Sequence, residues 1–129
     1  MNSTNQIPKA EIHVHLEATI TPDLCRKFAS RNNVDLPQDI FGSKYAYEWL
    51  DFYDFIKKYD LVTSVIHKPE DYKELTYSYL KECAKSNVIY VEAMISSTHA
   101  KLKGMSYHSL LEGVANGAPF SSTLLTNSA

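Results

Sequence analysis

The chain has 129 residues and a mass of 14.6 kDa, which leaves room for one domain and no second core. Thirteen Lys and Arg against fifteen Asp and Glu give a net charge of -2 and a pI of about 6.2, so no basic field gathers nucleic acid or anionic lipid. With 44% hydrophobic and 22% charged residues, the composition is that of a folding chain rather than a disordered one. No apolar run nears the roughly 18 residues that a membrane span needs, and the start, MNSTNQIPKAE, lacks the order of a secretory signal; a cytoplasmic protein is expected. Cys25 and Cys83 stand far apart in helix-like stretches and read as reduced, buried thiols.

From Ala10 to Glu17 apolar and ionisable residues alternate: Ile12, Val14 and Leu16 against Glu11, His13, His15 and Glu17. A period of two predicts a strand with two unlike faces, the four ionisable groups sharing one of them. Thr21-Pro22 then offers an N-cap and a proline at the first helical position, and the helix it opens runs to Asn32-Asn33. Val34 to Lys44, with Pro37 and Gly42, reads as a surface loop. Trp49, Phe52, Phe55, Ile56, Tyr59 and Val62 recur at three and four residues and predict a second helix, aromatic on one side.

Pro69 opens a third helix, whose stripe of Tyr72, Leu75, Tyr79, Leu80 and Cys83 ends at Ser86-Asn87. Val88 to Met94 is apolar on both faces except for Glu92, the pattern of a parallel strand covered by helices. Glu92 shares parity with Tyr90 and Met94, so it is expected to face inward onto a buried partner. Ser106 caps a last helix that stops near Asn116-Gly117. The segment 118–129 carries no charge and no period, and is expected to be an unrelated, disordered tail on a unit formed by residues 1–117. The four glycines are scattered, so no phosphate loop is present.

His13 and His15 stand two apart on a strand, so both imidazoles leave one face and can aim at one point. That arrangement suits a metal ion, for which two histidines supply half of a tetrahedral shell. Taken alone, the spacing more often marks a polar strand face that simply meets solvent.

The stretch Pro8-Lys9-Ala10-Glu11-Ile12-His13-Val14-His15-Leu16-Glu17 closely resembles the opening strand of the adenosine and adenine deaminase family, metal-dependent amidohydrolases built on a (β/α)8 barrel. The resemblance runs from about Gln6 to Asn116. It implies an α/β fold forming the amino-terminal part of such a barrel, two strands with helices. It also implies that His13 and His15 bind a catalytic zinc ion and that Glu17 contacts the substrate near its sugar or outer edge. Phe55, Ile56 and Tyr59 resemble the family's helix over the pocket, whose apolar side chains lean on the purine; without the resemblance the same stripe is plain helix packing. Tyr90-Val91-Glu92 and Ser96-Ser97-Thr98-His99-Ala100 resemble the second barrel strand and the loop leaving it. The implied substrate is a purine nucleoside or base, whose amino group leaves as ammonia. Glu17 is compatible with both adenine and adenosine enzymes, and the helix and second-strand likeness leans to adenosine.

Two departures stand out: Ala18 replaces a usual glycine, and Ser97-Thr98 replace a proline common after the second strand. His67, His99 and His108 lack ligand spacing with the pair and are expected to play surface or capping roles. A full barrel needs about 250 residues. The resemblance therefore implies that the third metal-binding histidine and the proton-donating glutamate have no counterpart here. A truncated reading frame with little or no deaminase activity is expected; a non-catalytic interaction remnant is the alternative. The other zinc deaminase signature, H-x-E with a later P-C-x-x-C, fails because Cys25 and Cys83 cannot form its second half.

Overall fold

Thr21 caps the first long helix with its side chain, accepting from the Leu24 amide, and Pro22 takes the first helical position, where its missing N–H costs nothing. The helix ends at Asn33, whose left-handed backbone (φ 53°) suits an asparagine. A computed structural model describes residues 3–118. In chain order it comprises β1 (Lys9–His15), α1 (Pro22–Asn32), α2 (Phe52–Thr63), α3 (Pro69–Lys85), β2 (Val88–Met94), α4 (Ser97–Leu102) and α5 (Tyr107–Gly117). Short 3₁₀ turns lie at Ser3–Gln6, Leu16–Thr19 and Gln38–Ile40.

β1 and β2 pair in parallel, joined through α1, α2 and α3, the connection that a parallel pair requires. The helices cover one side. Phe28 of α1, Tyr72 and Leu75 of α3, Leu110 and Val114 of α5, and Leu16 after β1 form a shared core with exposures of 1% or less. Each such burial contributes about 1.5–3 kcal/mol. α3 and α5 lie so close that a Cβ on Gly113 would stand 2.4 Å from the Pro69 carbonyl oxygen. The other face of the strands is open: Ile12 and Ile89 are 68% and 73% exposed.

Several expectations need correction. β1 stops at His15, and Leu16 to Thr19 turn as a 3₁₀ helix closed by a Thr19 hydroxyl bond to the Leu16 carbonyl (2.7 Å). The alternation is also broken within the strand. Glu11 pairs with Val91 but Val14 with Ala93, so Ile12 and His13 together stand opposite Glu92 alone, and His13 takes a left-handed backbone (φ 60°). Glu11 therefore leaves the histidine face. Trp49 precedes α2, whose N-cap is Asp51, rather than belonging to it. Ser96 to Ala100, expected as the loop leaving the second strand, instead open α4 (Ser97–Leu102) with Ser96 as its N-cap. Glu92 is half-buried and accepts from the exposed Tyr90 phenol (2.7 Å), not from a buried partner. The segment beyond Ala118 lies outside the described residues.

Candidate active site at the strand ends

In a parallel barrel, function gathers at the carboxyl ends of the strands, and here β1 delivers both histidines close to that end. The His13 and His15 rings meet edge to face, centroids 5.3 Å apart at 75°, and both residues are exposed. The bend at Ile12–His13 permits this: once it resets the parity, His15 pairs with Met94 on the open side while Val14 pairs with Ala93 on the helix side. Two neutral imidazoles presented together are a chemically suitable donor pair for zinc. Among the described residues no group of three or more His, Cys, Asp or Glu is placed to hold a metal.

The two carboxylates expected beside the histidines are engaged elsewhere. Glu11 accepts from the Tyr79 hydroxyl on α3. Glu17, only 1% exposed, accepts at Oε1 from the Tyr72 hydroxyl (3.1 Å) and from the Ser96 amide (2.7 Å). Its Oε2 is buried and has no hydrogen-bond partner among the described residues. Burial and the Glu17 charge together push the Tyr72 phenol well above its ordinary value. Tyr72, Tyr79 and Ser96 were not legible as site residues: the tyrosines read as part of an apolar stripe, and only their polar tips, spaced seven apart on one helix, hinted at more.

α2 brings the aromatic residues. Phe55 is half-buried, with the Trp49 ring at 5.1 Å and the Tyr59 ring at 6.3 Å, while Ile56 is 42% exposed. Tyr59 in turn meets His99 of α4 edge to face at 6.2 Å. Burial first, then the charges of Glu17 and Asp60, push the Tyr59 phenol up to about 12. His99 itself hydrogen-bonds the Ser96 hydroxyl through Nδ1 (2.8 Å), and its Nε2 stands 3.6 Å from Asp60. Phe55 and Tyr59 thus lie on one side of α2, Tyr59 reaching His99 of α4, and Ile56 stands nearer solvent.

Neither departure from the family pattern strains the backbone. Ala18 sits exposed in the 3₁₀ turn without a positive φ, so nothing local demands glycine. Ser97 occupies the first position of α4, where a proline fits without losing a hydrogen bond.

The sequence profile described as adenosine deaminase matches residues 8–122. The chain belongs to the adenosine deaminase family. An adenine deaminase from Agrobacterium fabrum is 40% identical over 114 residues, 88% of this chain and 34% of the relative. The crystal structure of an adenine deaminase from Arthrobacter aurescens superposes with a TM-score of 0.72 and 28% identity, over 85% of this chain and 34% of that one. An amidohydrolase from Burkholderia ambifaria, solved with bound zinc, shares the fold with a TM-score of 0.79 at 18% identity, over 97% of this chain and 36% of that one. The chain therefore spans about a third of the length of the deaminases it matches. Its two parallel strands and their helices are the amino-terminal part of a (β/α)8 deaminase barrel. No helix among the described residues is long and apolar enough to cross a membrane.

Proposed function

We propose that this member of the adenosine deaminase family carries the metal-holding opening of a purine deaminase site, with His13 and His15 as two ligands of a zinc ion. The single observation that carries the reading is the pair of exposed imidazoles facing each other at 5.3 Å near the end of the first strand. The ion, when bound, supplies a water acidic enough to attack a purine carbon near neutral pH. Phe55, Ile56 and Tyr59 form the apolar wall on which the purine leans. Glu17 keeps one oxygen for the protein and the other, Oε2, as the acceptor for a substrate N–H at the outer edge.

Adenine is the favoured substrate over adenosine, since the relative at 40% identity bears the name adenine deaminase. Catalytic zinc is usually held by three protein ligands. With two imidazoles and no third ligand among the described residues, this chain by itself binds zinc weakly and releases little ammonia.

Calorimetric titration of the full chain with Zn²⁺ tests the reading. One equivalent is expected to bind, at least tenfold more weakly after His13→Ala or His15→Ala. No uptake, or uptake that ignores both substitutions, refutes it. A coupled ammonia assay with adenine and adenosine, zinc added, tests the low turnover and the substrate order together.

A further inference from the structure

We infer that Tyr72 is a positioning residue for this site, acting through the buried carboxylate of Glu17; the inference rests on the reading of His13 and His15 as metal ligands. Three segments meet at one oxygen atom. Glu17 belongs to the turn that follows His15, Ser96 caps α4 two residues after β2 ends, and Tyr72 lies in α3 with 1% exposure. Oε1 of Glu17 receives both the Tyr72 hydroxyl and the Ser96 amide. The end of β1, which presents His15, is thereby fixed against the N-cap of α4, the helix that carries His99.

The arrangement is an expensive way to hold a fold together. Neither donor is charged, and no ion pair to Glu17 forms among the described residues to offset the desolvation of the carboxylate. Its second oxygen is also shielded and, among the described residues, unpartnered, which native interiors rarely tolerate without a use for the group. A joint serving packing alone would satisfy both oxygens or use apolar side chains. A buried carboxylate pinned at one oxygen, with no partner for the other among the described residues, is instead an oriented acceptor. Tyr72 and Ser96 set that orientation and, through the same turn, the place of the His15 ring.

Tyr72→Phe keeps the ring in the core and removes only the hydroxyl. In the full chain, the Ser96 amide is expected to exchange with deuterium at least tenfold faster. The Leu110 and Val114 amides of α5 should stay within about twofold, reporting intact global stability. The imidazole C–H resonances of His13 and His15 should shift, and Co²⁺, used as the probe, should bind about tenfold more weakly with an altered visible spectrum. Unchanged Ser96 exchange together with unchanged imidazole resonances overturns the inference.

Should Tyr72→Phe unfold, Glu17→Gln against Glu17→Ala decides. The glutamine retains an acceptor and should preserve Ser96 protection, the alanine should not, and equal loss in both overturns the inference. If the native chain takes up no Co²⁺, the zinc reading fails, while the exchange and imidazole measurements still judge the role of Tyr72.

Discussion

Glu11 and His13 are two residues apart on β1, yet they leave opposite faces of the sheet: Glu11 reaches the Tyr79 hydroxyl of α3, and His13 faces the His15 ring on the open side. The extra residue opposite Glu92 makes the difference. Without it, a third potential ligand would stand beside the two imidazoles, and α3 would lose its polar tie to the strand. Tyr79→Phe is therefore expected to cost about 1.5–3 kcal/mol of stability, the range for a hydrogen bond to a charged group. Urea melts measure the loss. Zn²⁺ affinity, read by calorimetry under folded conditions, should be unchanged, and a parallel drop would mean that Glu11 communicates with the histidine face.

The approach of α3 to α5 depends on glycine. An added Cβ at Gly113 would stand 2.4 Å from the Pro69 carbonyl oxygen and 3.0 Å from two further backbone atoms, none of which belongs to a flexible side chain. Gly113→Ala would gain about 1 kcal/mol of helix propensity, but overpacking costs about 1–3 kcal/mol and more where backbone must move. A net loss is expected, seen as a lower thermal midpoint. A variant as stable as the native chain would show that the two helices separate easily.

Local signals carried α1, α3, β2 and α5, because each states its own limits. Thr21-Pro22 and Asn33 bracket α1, Pro69 and Ser86 bracket α3, and Val88 to Met94 is continuous. The histidine pair was legible for the same reason. What failed depends on a partner distant in sequence. The break at Ile12–His13 exists only in register with β2, and alternation alone puts Glu17 on the strand face because nothing in its neighbourhood announces Tyr72, 55 residues later. α4 has six residues, too few to display a period, and its capping Ser96 looked like one more polar loop residue.

Both thiols are expected to be inert in the folded chain. Cys25 has no exposed surface, and burial pushes its thiol up to about 11, against the opposing pull of the Tyr47 hydrogen bond and the Arg26 charge. Cys83 is 6% exposed and is raised chiefly by burial as well. Since the thiolate is the reactive species, a chromogenic disulfide reagent at about pH 8 should find almost no free thiol until guanidinium is added, and then two. Rapid labelling of the native protein would show that α1 or α3 opens on the time scale of the reaction.

Acid should loosen the junction of α1 with α3. Burial tends to raise the Glu74 carboxyl, but hydrogen bonds from Lys27 and Arg31 outweigh it and hold the group below the ordinary glutamate value. A carboxylate with a lower pKa folded than unfolded adds stability that is complete above the unfolded value, about 4.3. That stability is lost as the pH falls through the folded value. Glu74→Gln should therefore be less stable than the native chain near pH 7, with the gap closing as the pH is lowered toward about 3. Denaturant melts across that range measure it. A gap that stays constant would assign the difference to packing rather than to the charge of Glu74.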